Sequence, residues 1–197
     1  MDTTKTYNVA FDIETNGLES TRLHCIVLQA VDNGIVEEFN DEPYGDGSLD
    51  IKVDAPMKGS NSIANGLSAL MCANNIISHN GIAYDVPQAK KHYPFFRELK
   101  TPHWDTLILS RFFYPDLLSK DQTRNAMLNK LGMPAKLRGS HSLEAWGYRL
   151  RCRKGAFSEH TNWENWSPEM QDYCKQDVAV LVKLWKYFQK KSLEQSS

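Results

Sequence analysis

The chain has no cysteine pair at metal-ligand spacing: Cys25, Cys72, Cys152 and Cys174 are scattered, with no C-x-x-C among them. A zinc ribbon is therefore excluded and a disulfide framework disfavoured, leaving reduced, mostly buried thiols as the expectation. No apolar run approaches the length that crosses a bilayer, so no membrane association is expected. The N-terminus, Met1-Asp2-Thr3-Thr4-Lys5, lacks the charged-then-apolar layout of a secretory signal, which points to the cytoplasm. Neither a G-x-S-x-G elbow nor a P-loop occurs, so serine-hydrolase and Walker-type phosphate chemistry have no foothold. No internal repeat is visible.

The sequence does have enough apolar residues, 41% of 197, for one core. A single domain over residues 1–197 is the expectation. Its charge is unevenly placed behind a net value of −1. Residues 1–60 hold twelve acids against four bases, and residues 119–154 hold nine bases against two acids. A basic third beside an acidic one suits a polyanion held next to a cation site, although an ordinary mixed surface gives the same counts.

Apolar and β-branched runs predict strands at Tyr7–Asp12, Leu23–Val31 and Ile35–Phe39. Asp32-Asn33-Gly34 joins the last two as a hairpin, so the opening reads as an antiparallel meander. Residues 40–60, rich in Gly, Pro and Asp, read as a loop or small insertion. Ser62–Cys72 reads as a helix, Ile76–Ser78 as a short buried strand, and Tyr84–Tyr93 as a helix ended by Pro94. Asp105 is placed as the cap of a helix through Phe112. Residues 114–141 carry no clear pattern, whereas Leu143, Trp146 and Leu150 fall at helical spacing. Ser167-Pro168-Glu169 opens a final helix through Phe188. Strands first and helices later give an α/β domain with a helix-covered sheet.

Four carboxylates and a phenol stand out against this background. Asp12 and Glu14, two apart at the end of the first strand, project to the same side, where they repel each other unless a cation lies between them. Exposed acid-x-acid pairs are common, and a solvated face is the bland alternative. Asp85 begins a helix after the His79-Asn80-Gly81 turn, where an acid also suits the helix dipole. Tyr173 and Asp177, four apart on the last helix, share one face. Tyr173 also reads as a half-buried core aromatic, but a buried Asp177 needs a partner or a metal. Oxygen ligands from separate elements suit Mg²⁺ or Mn²⁺ held over a phosphodiester.

In their order and spacing these residues resemble the DEDD 3′–5′ exonucleases of the tyrosine subgroup. The motifs are Asp12-Ile13-Glu14-Thr15, Asn80-Gly81-Ile82-Ala83-Tyr84-Asp85, and Tyr173-x-x-x-Asp177. The sister subgroup has a histidine five residues before the last aspartate, where this chain has Asp172. SHNGIAYDVP (78–87), WDTLILSR (104–111), GSHSLEAWGYRL (139–150) and YCKQDV (173–178) extend the likeness to the proofreading domain of bacteriophage family A DNA polymerases. It runs from about Tyr7 to Phe188.

The resemblance implies a ribonuclease-H-like fold, a mixed five-stranded sheet flanked by helices. It also implies two divalent ions, Mg²⁺ or Mn²⁺, held by Asp12, Glu14, Asp85 and Asp177, with Tyr173 orienting the attacking water. A phenol of pKa about 10 is too weak a base near neutrality to take the proton itself. Leu18 falls where the family places a wedge against the terminal base, or else is a core leucine. Asn80 contacts the terminal nucleotide or merely serves its turn. His141 and Arg149 contact phosphate, or are a helix start and a surface arginine. Asp105 reads as a cap or supporting acid.

The implied substrate is single-stranded DNA or a frayed 3′ end, cut to nucleoside 5′-monophosphates. The family polymerases run on for several hundred residues beyond this domain. A free-standing nuclease, a subunit serving a separate DNA polymerase chain, and an excised domain are all open. The rival functions are an exoribonuclease of ribonuclease D type and a non-catalytic binding module.

Overall fold

The computed structural model describes residues 7–41, 62–152 and 163–195. The loop expected over 40–60 lies almost wholly outside them. Strands β1 (Asn8–Thr15), β2 (Leu23–Ala30) and β3 (Val36–Asn40) form the antiparallel meander. At the β2–β3 turn Gly34 takes φ +76°, its N–H donating to the Ala30 carbonyl at 2.9 Å. Helix α1 (Ile63–Met71) is capped by Ser62 Oγ, which accepts the Asn65 N–H, and leads to β4 (Asn75–Ser78), parallel to β1. Helix α2 (Asp85–His92) and a 3₁₀ turn (Pro94–Glu98) precede β5 (His103–Asp105), parallel to β4. Helices α3 (Thr106–Phe113), α4 (Leu117–Thr123), α5 (Asn125–Lys130), α6 (Leu143–Arg149) and α7 (Pro168–Gln195) follow. The strand order is β3-β2-β1-β4-β5, a mixed five-stranded sheet with helices on both faces.

Alternation along β1 sorts the chain into two cores. Val9, Phe11 and Ile13 face one side, packed with Ile63, Leu67 and Leu70 of α1 and Val86 of α2. Ala10 faces the other, with Cys25, Val27 and Ile77, under Cys174, Val178 and Leu181 of α7. By the same parity Asp12 and Glu14 lie on the α7 side. Six apolar side chains of α7 (Met170, Cys174, Val178, Leu181, Leu184 and Phe188) are at most 1% exposed. At ~1.5–3 kcal/mol for each large one, this burial outweighs the weak helix propensity of a valine-rich stretch and seats α7 firmly on the sheet.

Three expectations need correction. The first strand does not stop at Asp12. It continues to Thr15, because β2 supplies partners as far as Glu14 opposite Cys25 and, past a bulge, Thr15 opposite Leu23. The patternless stretch 114–141 is largely helical, and its short elements share a small core of Leu128, Met133, Leu137, Ala145 and Tyr148. Of the cysteines, Cys25 and Cys174 are buried, Cys152 is half-buried and Cys72, at the end of α1, is exposed. Among the described residues no helix is long and apolar enough to cross a membrane.

A buried ion pair fastens this helical region. Arg149 Nε and Nη2 donate to Asp121 Oδ1 and Oδ2 at 2.9 and 2.6 Å, with side chains only 4% and 2% exposed. Arg149 Nη1 donates to the Ser140 carbonyl, the Gly139 N–H donates to Asp121, and the guanidinium lies 5.1 Å from the Trp146 ring centre. Removing one partner strands a desolvated charge. Asp121→Ala is therefore expected to cost ~3–5 kcal/mol of stability in urea unfolding. The double variant Asp121→Ala/Arg149→Met is expected to recover part of that loss, and a loss below ~1 kcal/mol in the single variant would show the pair to be dispensable.

Candidate active site

The site forms where β1 outruns its parallel neighbour. β4 pairs with β1 only through Asn8, Val9 and Ala10, so beyond Ala10 the strand edge lacks a β4 partner. Asp85, the first residue of α2, fills that gap: its carboxyl is hydrogen-bonded by the backbone of Ile13 and by its own N–H. This brings Asp85 beside the strand that carries Asp12 and Glu14. From the other side, Cys174 of α7 donates its thiol to the Asp12 carbonyl at 3.4 Å and approaches Asp12 Oδ2 at 3.8 Å. Ligand atoms of Asp12, Glu14 and Cys174 all lie within 4.8 Å of one another. Asp177, one turn after Cys174, is 6% exposed and close enough that its charge acts on Asp85. Tyr173 is half-buried beside Cys174, its ring edge-on to Trp163 with centroids 6.2 Å apart.

The electrostatics of this cluster are those of crowded acids in a dry place. Asp85, 4% exposed, has its carboxyl pushed up to about 7 by burial, with Asp105 and Asp177 adding to the rise and the two backbone hydrogen bonds opposing it. The Cys174 thiol is pushed well up by burial, by its neighbour Cys25 and by the charges of Asp12 and Glu14. It therefore stays a thiol and a hydrogen-bond donor. The groups available to a cation are carboxylate oxygens, with a thiol kept protonated. That donor set fits a hard ion such as Mg²⁺ or Mn²⁺ better than a thiolate-seeking one.

Asp105 belongs to the support of this cluster. Its Oδ1 accepts the N–H groups of Asn80 and Leu107, both at 2.9 Å, and its Oδ2 accepts that of Ile82 at 3.1 Å. One buried carboxylate thus caps α3 and ties down the turn that carries Asp85. Asn80 sits in that turn at φ +70°, exposed, in the left-handed conformation asparagine tolerates. Gly81 next to it has no room for a side chain: a Cβ there would collide with Ser78 Oγ and come within 3.0 Å of Asp85 Oδ2.

Beside the acids is a pocket of about 270 Å³, lined by Ile13, Glu14, Thr15, Gly17, Leu18, Tyr84 and Trp163. Leu18 is 82% exposed, which rules out the core reading. Tyr84 and Trp163 escaped the sequence reading. Tyr84 sat unremarked inside a motif read for Asp85, and Trp163 lies 149 residues from Glu14 with no pattern linking them. The Tyr84 hydroxyl joins Thr15 Oγ1 at 2.6 Å and donates to the Gly17 carbonyl at 2.9 Å, fixing the loop after β1. Cys174 was likewise read only as a buried thiol.

His141 and Arg149 are engaged elsewhere. His141 Nδ1 pairs with Ser110 Oγ at 2.7 Å, which also accepts Trp146 Nε1–H at 2.8 Å. Arg149 is committed to Asp121, and neither hydrogen-bonds to any of the four acids.

A pH signature follows from Asp85. Its folded-state value is raised above the ordinary ~3.9, so the folded protein holds that proton more tightly than the unfolded chain. The contribution favours the fold at low pH and is lost as pH rises from ~4 through about 7. In EDTA, Asp85→Asn is expected to raise Tm at pH 8 and leave it nearly unchanged at pH 4. Mg²⁺ should stabilise the parent more at pH 8 than at pH 5.5. Parallel Tm-versus-pH curves for parent and variant would refute the assignment.

No protein-family model matches the chain. It is 33% identical over 191 residues to the DNA-directed DNA polymerase of Enterobacteria phage T3, covering 86% of this chain and 25% of that protein. The corresponding protein of Escherichia phage T7 is 33% identical over 194 residues, covering 87% of this chain and 25% of its own length. A solved family B DNA polymerase from the hyperthermophilic archaeon Pyrobaculum calidifontis superposes with a TM-score of 0.53 at 12% identity, over 93% of this chain and 24% of that one. That likeness is one of fold and agrees with a ribonuclease-H-like sheet. The chain is homologous to phage DNA-directed DNA polymerases over about a quarter of their length.

Proposed function

We propose that the chain is a metal-dependent 3′–5′ exodeoxyribonuclease domain, acting on single-stranded or frayed DNA ends, over residues 1–197. What supports the reading is Asp12 and Glu14 side by side near the end of β1, with Asp85 bonded to the same strand, Asp177 within electrostatic reach of Asp85, and an open pocket beside them. Homology to DNA polymerases supports DNA over RNA as the substrate. A host cytoplasm and a separate polymerase chain as partner are consistent with it.

Asp12, Glu14, Asp85 and Asp177 would hold two divalent ions. When bound, these supply charge to the scissile phosphate and acidify the attacking water. The remaining steps belong to the protein. Burial of Glu14, Asp85 and Asp177 makes their charged forms costly, a cost that a bound cation would offset. Tyr173 offers a neutral phenol from the same face of α7 as Asp177, able to orient a water by hydrogen bond without removing its proton. The terminal base enters the pocket against Tyr84 and Trp163, with Leu18 wedged at its rim. Stacking and backbone contacts of that kind favour no sequence, and the product is a nucleoside 5′-monophosphate. Asn80, exposed on its turn, stands as a contact to the terminal nucleotide. Arg149 is better explained as the partner of Asp121 than as a phosphate contact, and His141 as the partner of Ser110.

Labelled DNA and RNA oligomers of one sequence, with Mg²⁺ or EDTA, test the reading. DNA cut stepwise from the 3′ end, only with metal, is expected. Asp12→Ala should lower the rate at least a thousandfold while circular dichroism is unchanged. Tyr173→Phe should lower kcat by about ten- to a hundredfold and leave Mn²⁺ affinity intact. Intact DNA with parent protein and metal, bound but uncut, would instead favour a binding module.

A further inference from the structure

Helix α7 changes sign along its length. Its first ten residues, through Asp177, hold Glu169, Asp172 and Asp177 against Lys175; its remainder holds Lys183, Lys186, Lys190 and Lys191 against Glu194. The basic half does not stand alone. Arg124, between α4 and α5, lies within electrostatic reach of Lys191 and of Tyr114. Lys120 of α4 sits 5.3 Å from the centre of the same Tyr114 ring, which stacks on Tyr187 of α7 at 6.1 Å and 20°. Lys183, two turns before Lys191, acts on Cys152, whose neighbour Arg151 donates to Met127 Sδ of α5 at 3.6 Å. Lys120, Arg124, Arg151, Lys183 and Lys191 thus make a basic ridge over α4, α5, the end of α6 and α7, with Lys120, Arg124 and Lys191 about the Tyr114–Tyr187 pair and Lys183 beside Cys152. The acids paired within it are Asp116, 3.5 Å from Lys120, and Glu194, 2.6 Å from Lys191. Asp121 is already neutralised by Arg149.

Lysines near a helix C-terminus complement its dipole, which accounts for Lys190 and Lys191. It does not account for Arg124 and Arg151, which come from other elements to the same surface. Arg124, Arg151 and Lys183, exposed and with no ion pair among the described residues, suit a polyanion whose charges repeat along its length. The distance also fits. Asp177 and Lys191 are fourteen residues apart on one helix, about 21 Å at ~1.5 Å per residue. At the ~3.4 Å rise per nucleotide of a strand stacked as in a duplex, this is about six steps.

We propose that this ridge is a second DNA-binding surface, which holds the phosphate backbone some six nucleotides upstream of the end in the carboxylate site. The proposal rests on the nuclease reading for its geometry but not for its charge. It makes affinity depend on strand length. A trinucleotide reaches only the acid site, whereas a dodecamer reaches both.

The test is fluorescence anisotropy of labelled oligothymidylates of three and twelve residues in EDTA, with parent protein and the variant Arg124→Gln/Arg151→Gln/Lys183→Gln. None of these side chains touches the acid cluster. The variant is expected to bind the dodecamer at least tenfold more weakly and the trinucleotide within twofold of the parent, with unchanged circular dichroism. The slope of log affinity against log salt for the dodecamer should shrink by about 2, at ~0.7 per charge removed. A variant with the parent's affinity and slope overturns the proposal. So does displacement of the dodecamer by polyglutamate more readily than by unlabelled dodecamer, which would assign the ridge to an acidic protein. Length-dependent binding by a parent that cleaves nothing with Mn²⁺ would sink the nuclease reading and leave the ridge standing.

Discussion

Mutual repulsion among acids is the constraint around which this molecule is built. Asp12 and Glu14 come from the end of one strand, Asp85 from the start of a helix and Asp177 from another helix, and nothing in the local chemistry of any one asks for the others. The fold supplies the restraint. An unpaired stretch of β1 offers the Ile13 N–H to Asp85. Asp105 spends itself on three backbone N–H groups so that the turn before Asp85 cannot relax away. A buried thiol gives Asp12 a hydrogen-bond donor from α7. What results is a cluster of carboxylates held close together in a largely buried place.

Much of the scaffold was legible because short-range physics decides it. The Asn33-Gly34 turn, the Asp105 cap and the Ser167-Pro168 helix start each act within a few residues, and each stands where the sequence puts it. The end of β1 was not legible, because its length is set by pairing with β2, which a reading of Tyr7–Asp12 alone does not contain. The helices of 117–130 were missed because they are short and polar and are held by distant partners: Leu117 enters the main core, Leu128 a small one, and Asp121 a buried ion pair.

The candidate site divides the same way. The acids were legible as candidates through their order and spacing, although each one alone has an ordinary reading as a solvated face or a first-turn acid. Leu18 was readable as a position and ambiguous as a role, until exposure separated the two. Tyr84, Trp163 and Cys174 were invisible as site members, because an aromatic or a cysteine looks the same in a core as beside an active centre. Arg149 illustrates the converse. A basic residue in a basic segment invites a surface role, and only its partner Asp121 reveals an interior one.

The acid set is also divided between two bodies. Asp12, Glu14 and Asp85 are fastened to one strand through its own backbone, while Tyr173 and Asp177 ride on α7. That helix is a rod of 28 residues with its working groups near one tip. Side chains at most 1% exposed clamp that rod from Met170 through Phe188. The separation between Asp177 and the strand-borne acids is therefore fixed by apolar packing, and a cavity cut into that seam would shift one group of carboxylates against the other without touching either.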